Sequence, residues 1–89
     1  MNSKLFAQRF NRELALLGFP EDLNEKIKAI TKVFSVNRHI ANGLIFGHFL
    51  PQADLLENIA AELEVCADWL SGATDKKRAY VARELEEMA

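Results

Sequence analysis

A short segment in the middle of the chain holds side chains that can form hydrogen bonds with a ligand. Asn37 is placed to cap a helix through its side-chain oxygen, and four of the residues after it then share the outer face of that helix. Arginine makes two hydrogen bonds to guanine O6 and N7 in the DNA major groove, worth about 1–3 kcal/mol of discrimination between bases. The segment predicts a base-reading surface. Its candidate residues are Arg38, His39, Asn42 and Gly43, the last of which lets the helix backbone approach DNA closely.

Each of these residues also has a plainer interpretation. An exposed Arg38 can contact only a phosphate, or nothing, and His39 and Asn42 can meet phosphate or solvent instead of a base edge. Gly43 without a functional role would weaken its helix by about 1 kcal/mol relative to alanine. The surrounding motif favours base or phosphate contact for Arg38 and leaves the alternatives for His39 and Asn42 open.

Positive charge surrounds this segment, although the whole chain has a net charge of −2. Residues 1–50 hold seven Lys and Arg against four Asp and Glu, which gives +3, whereas residues 51–89 hold four against nine, which gives −5. A local basic field is what phosphate binding requires. The candidate phosphate contacts on the preceding helix are Lys26, Lys28 and Lys32, which lie mainly outward; the alternative is an ordinary solvated helix face.

The spacing of apolar residues predicts three helices in the first half of the chain. The first is capped at Asn2 or Ser3 and runs to about Leu17, because an apolar stripe recurs with helical periodicity at Phe6, Phe10 and Leu14. The second begins at Asp22, and the third spans residues 38–46. The basic segment thus lies on a pair of helices joined by a tight turn.

Three more helices are predicted after this pair. A fourth helix is followed by a short fifth helix that ends at Gly72, and Thr74 or Asp75 caps a last one. No segment alternates with a period of two for long enough to predict a strand. The expected fold is all-α, with a compact five-helix domain in residues 1–73 and an amphipathic C-terminal helix in residues 74–89.

The last helix carries an apolar strip that has two interpretations. It either packs back on its own domain or pairs with a second copy of the chain. Proteins that read DNA with a helix commonly bind as dimers to two half-sites, so pairing is favoured. The candidate dimerisation residues are Tyr80, Val81, Leu85 and Met88.

The run from about Phe6 to Gly72 resembles the lambda-repressor-like helix-turn-helix domain of phage repressors and Xre-type regulators. The residues that carry the resemblance are Arg9-Phe10-Asn11 with Leu17-Gly18, Lys26-Ile27, Ile30-Thr31 and Phe34-Ser35-Val36, Gly47 with Pro51, and Leu55, Ile59-Ala60, Leu63, Val65, Trp69-Leu70 and Gly72. Where the family prefers glycine, this chain has Ser35. We therefore expect a positive φ at Ser35.

The resemblance implies five compact helices that bind double-stranded operator DNA, usually as a homodimer on a palindromic site. The family's base-reading positions fall on the four residues named above. Its phosphate contacts come from the start of the second helix, the cap of the third and the connection that follows. In this sequence those places hold Lys26, Lys28, Asn37 and His48.

Two functions are consistent with this sequence. The first is a sequence-specific transcriptional regulator, such as a phage-type repressor, whose third helix enters the major groove. The alternative is a protein-interaction adaptor or antirepressor on the same fold that has lost DNA readout. Ile45 and Phe46 cannot both be fully buried on one narrow stripe, and exposed apolar surface at this place favours a protein contact.

The sequence gives little support to other classes of protein. No Ser/His/Asp or Cys/His pairing and no glycine-rich phosphate loop predicts an enzyme, and His39, His48 and Cys66 lack the spacing of a metal site. No cofactor or small-molecule ligand is expected, and no apolar run is long enough for a membrane span. A single cysteine and the lack of a signal-peptide pattern predict a cytoplasmic protein.

Overall fold

Five short helices make up most of residues 2–79, the part of the chain that the computed structural model describes. In chain order they are α1 (Ser3–Leu16), α2 (Leu23–Phe34), α3 (Arg38–Phe46), α4 (Ala53–Leu63) and α5 (Ala67–Ser71). Residues 2–79 contain no strand. The predicted all-helical fold is confirmed, and α3 has the bounds expected from the sequence. None of these helices combines the length and apolar character that crossing a bilayer requires.

Polar side chains start the first three helices at the expected positions. Asn2 caps α1 and Asp22 caps α2. The Asn37 side-chain oxygen accepts a 2.8 Å hydrogen bond from the backbone N–H of Ile40 in the first turn of α3. Each cap satisfies an amide that has no partner within its own helix. The starts of these helices are consequently set by local sequence.

The turn between α2 and α3 depends on a left-handed residue. Ser35 ends α2 with φ 55° and ψ 43°, so the positive φ expected there is confirmed. Residues other than glycine rarely adopt this conformation because the Cβ crowds the backbone. The reversal at Ser35 brings α3 against α2 after only three connecting residues, 35–37.

One apolar core joins all five helices. Phe6 and Phe10 of α1 stack with 5.3 Å between their ring centroids, and Phe10 meets Phe34 of α2 at 5.8 Å. Helix α1 packs against α3 and α5, whereas α2 packs against α3 and α4. Helix α3 is thus held between α1 and α2, which leaves part of its surface exposed.

The chain after α5 does not form the helix that was expected to begin at Thr74 or Asp75. Residues 73–79 contain no helix, and the backbone N–H of Cys66 donates a 2.8 Å hydrogen bond to the carbonyl of Arg78. This tertiary bond engages a carbonyl that a helix would use for its own amides, so the predicted start is wrong. The rest of that prediction, the strip of Tyr80, Val81, Leu85 and Met88, lies outside the described residues.

We expect Ser35→Gly to raise the free energy of unfolding by about 1 kcal/mol, because glycine adopts the left-handed backbone without a steric penalty. Glu64→Gly should act in the same direction, since Glu64 ends α4 with φ 58°. Gly47→Ala should lower the stability, because φ is 68° and the new Cβ would lie 2.9 Å from the carbonyl oxygen of Ser3. Urea denaturation followed by circular dichroism measures all three, and a destabilised Ser35→Gly variant would contradict the expectation.

Candidate nucleic-acid interface

The exposed face of α3 lies beside the start of α2, and the two helices form a shallow groove. The groove is lined by Arg38, His39 and Asn42 from α3 and by Leu23, Asn24 and Ile27 from α2. Arg38 and His39 are exposed, and Asn42 is half-buried. The structure therefore brings together three of the four residues predicted to read bases.

Arg38 is held by a partner that the sequence pattern does not indicate. Its Nη2 donates a 3.0 Å hydrogen bond to Oδ1 of Asn24 in the first turn of α2. A guanidinium has five N–H donors, so one bond to Asn24 leaves others for a ligand. The two residues are 14 positions apart, and only the packing of α2 on α3 joins them, which is why no local pattern pointed to Asn24.

Gly43 does not lie on the outer face, and the prediction that placed it there is wrong. It is buried, and a Cβ added to it would lie 2.2 Å from Cε1 of Phe49. At 3.6 residues per turn, position 43 is rotated roughly 140° from Arg38 around the helix axis. The space over Gly43 is filled by the Phe49 ring, so this glycine lets the connection after α3 pack closely on the helix.

Lys26 does not point outward, contrary to the prediction from the sequence. Its Nζ donates a 2.7 Å hydrogen bond to Oδ1 of Asn11 in α1. Burial lowers the pKa of the Lys26 ammonium below its ordinary value, because the charged form loses hydration. Lys26 thus joins α2 to α1, and a phosphate contact through it would have to compete with this bond.

The other two lysines of α2 are exposed, as expected. Lys28 and Lys32 line a surface depression together with Pro20, Glu25 and Thr31, separate from the groove that holds Arg38. The Nζ of Lys28 lies 3.5 Å from Oε1 of Glu25, and such an exposed pair is worth little in water. Both ammonium groups can therefore move to meet a phosphate.

The remaining two candidate phosphate contacts flank α3. Asn37 precedes the helix and is exposed; its oxygen serves as the cap, and an amide group still has NH₂ hydrogens to donate. His48 follows the helix and is also exposed, with its ring 6.0 Å from that of Phe46. Polar groups are thus available at both ends of α3.

The C-terminal end of α3 is anchored to α1. Asn11 Nδ2 donates a 2.9 Å hydrogen bond to the carbonyl of Ile45, and Lys4 Nζ donates a 3.0 Å hydrogen bond to the carbonyl of Phe46. Carbonyls in the last turn lack partners within the helix, and their partial negative charge favours a nearby cation. Because Lys26 binds the oxygen of the same Asn11 amide, this one side chain connects α2, α1 and α3.

Apolar surface is also exposed near α3. Ile45 is 8% exposed and Phe46 is 45% exposed, which confirms that the two are not buried together. A second groove beside the start of α3 has a mixed lining, with half-buried Val36, Ile40, Phe49, Leu50 and Leu55 beside polar Ser35, Asn37, His39 and Gln52. Phe46 is therefore the exposed apolar side chain of α3.

Comparisons with known proteins do not assign a function to the groove between α2 and α3. Within residues 2–79, no group of three His, Cys, Asp or Glu side chains is placed to hold a metal ion. Comparisons with protein families, with characterised proteins and with solved structures find no match for the chain. The resemblance to the lambda-repressor-like domain stays a prediction from the residue pattern, and the functional interpretation depends on the contacts described above.

We expect Asn11→Ala to lower the free energy of unfolding by about 1–3 kcal/mol, because it leaves the Ile45 carbonyl and the Lys26 ammonium without a partner in a partly buried place. Gln8→Ala, at an exposed position on the same helix, is the matched control and should change stability by no more than about 0.5 kcal/mol. Urea unfolding measures both. Equal effects of the two substitutions would show that the Asn11 amide does not hold the three helices.

Proposed function

We propose that this protein is a sequence-specific DNA-binding regulator of transcription that places α3 in the major groove. The observation that carries the proposal is the exposed Arg38 guanidinium in the first turn of α3, held by Asn24 and sharing a groove with His39 and Asn42. A helix whose first residues present donors to solvent has the layout that reads base edges in helix-turn-helix proteins. The absence of acidic residues between positions 26 and 50 of the sequence supports this assignment.

In this proposal Arg38 reads a guanine, because its free N–H groups can reach O6 and N7 together. His39 and Asn42 contact neighbouring base edges or phosphates. Lys28 and Lys32, with Asn37 and His48 at the ends of α3, hold the sugar-phosphate backbone and fix the orientation of the helix without reading sequence. Gly43 has no part in this contact, because the Phe49 ring covers it.

Regulation would be steric, with the bound protein blocking access to the DNA. A single domain of this size presents one short α3 and covers one half-site. Two copies on a palindromic operator, with half-sites about 34 Å apart or a multiple of that distance, would supply the affinity and match the symmetry of the DNA. Such a regulator would act in the cytoplasm of a prokaryotic cell, where its DNA is.

Arg38→Ala should reduce the preference for the selected operator over random DNA by about tenfold or more, since a bidentate arginine–guanine contact is worth about 1–3 kcal/mol. Asn24→Ala should give a smaller loss, because it frees Arg38 without removing it. The operator is first obtained by selecting bound duplexes from a random pool, and binding is then measured by fluorescence anisotropy.

Arg12→Ala is the matched control for Arg38, because Arg12 is an exposed arginine on α1, away from the groove. It should leave the operator preference unchanged. Retention of full sequence preference by Arg38→Ala would refute the assignment of Arg38 to base reading, and failure of the folded wild-type chain to enrich any duplex would refute DNA readout as a whole.

Lys28→Ala should weaken binding to all duplexes by a similar factor. If Lys28 neutralises one phosphate, the slope of log affinity against log salt concentration should become shallower by about 0.9. Lys76→Ala, an exposed lysine after α5, is the control and should leave the slope unchanged. A loss confined to one base pair would contradict the backbone role of Lys28.

A protein-interaction adaptor is the second candidate, and the exposure of Phe46 beside the end of α3 favours it. A contact through Phe46 would bury apolar area and respond weakly to salt, whereas DNA binding through several phosphates weakens steeply as salt rises. Measuring the affinity for a bound molecule over a range of salt concentrations therefore distinguishes the two candidate functions.

A further inference from the structure

Residues 73–79, referred to below as the strap, are attached to the five-helix body through polar contacts. The Arg9 guanidinium of α1 donates a 3.0 Å hydrogen bond to the carbonyl of Thr74 in the strap, as well as one to the carbonyl of Trp69 in α5. Lys77 Nζ lies 2.8 Å from Oε2 of Glu13, also in α1, and the Cys66 amide donates to the strap at its far end. These contacts tie the strap to α1 and to the start of α5.

The strap places a lysine on the only tryptophan of the sequence. Trp69 is 8% exposed and contacts two cations, with the Arg9 guanidinium carbon 4.9 Å and the Lys77 ammonium 5.2 Å from its ring centroid. Arg9 belongs to the helical body, whereas Lys77 belongs to the strap. Movement of the strap would consequently withdraw one of the two groups that cover the ring.

The strap has no apolar anchor of its own. Its sequence is Ala-Thr-Asp-Lys-Lys-Arg-Ala, and residues 75–79 are exposed. Burial of apolar area, the main stabilising term in folding, contributes little to its attachment. Segments with few buried apolar contacts and solvent-exposed hydrogen bonds open at a lower free energy than the core around them.

One contact of the strap differs from the others because it reaches a buried charge. The Glu13 side chain is 9% exposed, whereas that of Lys77 is 47% exposed. The ammonium compensates a carboxylate that the body holds away from water. Because the Lys77 side chain itself is half exposed, dissolved ions reach the pair and weaken it. The pair of Arg9 with Asp75, at 3.4 Å and with Asp75 99% exposed, is of the weak kind.

We propose that the strap is a charge-latched lid over Trp69 that opens and closes as a unit while the five helices stay folded, with the Glu13–Lys77 ion pair as its latch. Opening uncovers the Trp69 ring and frees the Cys66 amide. Higher ionic strength weakens the latch and shifts the lid toward the open state. The lid does not depend on whether the chain binds DNA.

The test uses the full 89-residue chain and the variant Lys77→Gln, with Lys76→Gln as its matched control on the adjacent, exposed lysine. Quenching of Trp69 fluorescence by acrylamide should increase about twofold in Lys77→Gln, and the Cys66 amide should exchange with solvent about tenfold faster, as expected for local opening. Lys76→Gln should match the wild type. Added salt should increase quenching in the wild type and have a smaller effect in Lys77→Gln.

Two results would overturn the proposal. Equal quenching in Lys77→Gln, Lys76→Gln and the wild type would show that Lys77 is not the latch. Exchange of the Cys66 amide at the same rate as amides in the middle of α1, such as that of Phe10, would show that the strap opens only when the whole domain unfolds. Far-UV circular dichroism confirms in each variant that the helices are intact.

Discussion

A single amide, that of Asn11, connects the first three helices by hydrogen bonds. Its NH₂ group donates to the last turn of α3 through the Ile45 carbonyl, while its oxygen accepts from the Lys26 ammonium of α2. Both bonds lie in a partly buried place, where a polar group without a partner is costly. Helix α1 thus holds the far end of α3, while α2 holds its first turn through the Asn24–Arg38 bond.

Local features of the fold could be read from the sequence because they depend on neighbouring residues. Asn37 caps α3 through an amide three positions ahead, and Ser35 takes the left-handed conformation at the end of α2. Contacts between distant residues could not be read in the same way. The Asn24–Arg38 bond and the Phe49 ring over Gly43 arise only when the helices pack, so the sequence pattern indicates neither the role of Asn24 nor the burial of Gly43.

The same difference between local and distant contacts explains why the lysines of α2 differ in exposure. By composition alone, Lys26, Lys28 and Lys32 are equivalent cations. In the helix they lie on different faces and therefore contact different neighbours. Lys26 meets Asn11 and loses hydration, whereas Lys28 and Lys32 remain in water. The number of basic residues in a segment is therefore an upper bound on the positive charges available to a ligand, because some of these residues bind neighbouring helices instead.

The beginning of α1 lies next to the end of α5. The backbone N–H of Asn2 donates a 3.3 Å hydrogen bond to the carbonyl of Ser71, and the nearest backbone atom to a Cβ added at Gly72 would be the nitrogen of Asn2, at 3.9 Å. The helical body is thus nearly a closed ring. A short peptide can bridge the two points, so the five helices without the residues after Gly72 can be circularly permuted, with new ends in the exposed turn between α1 and α2.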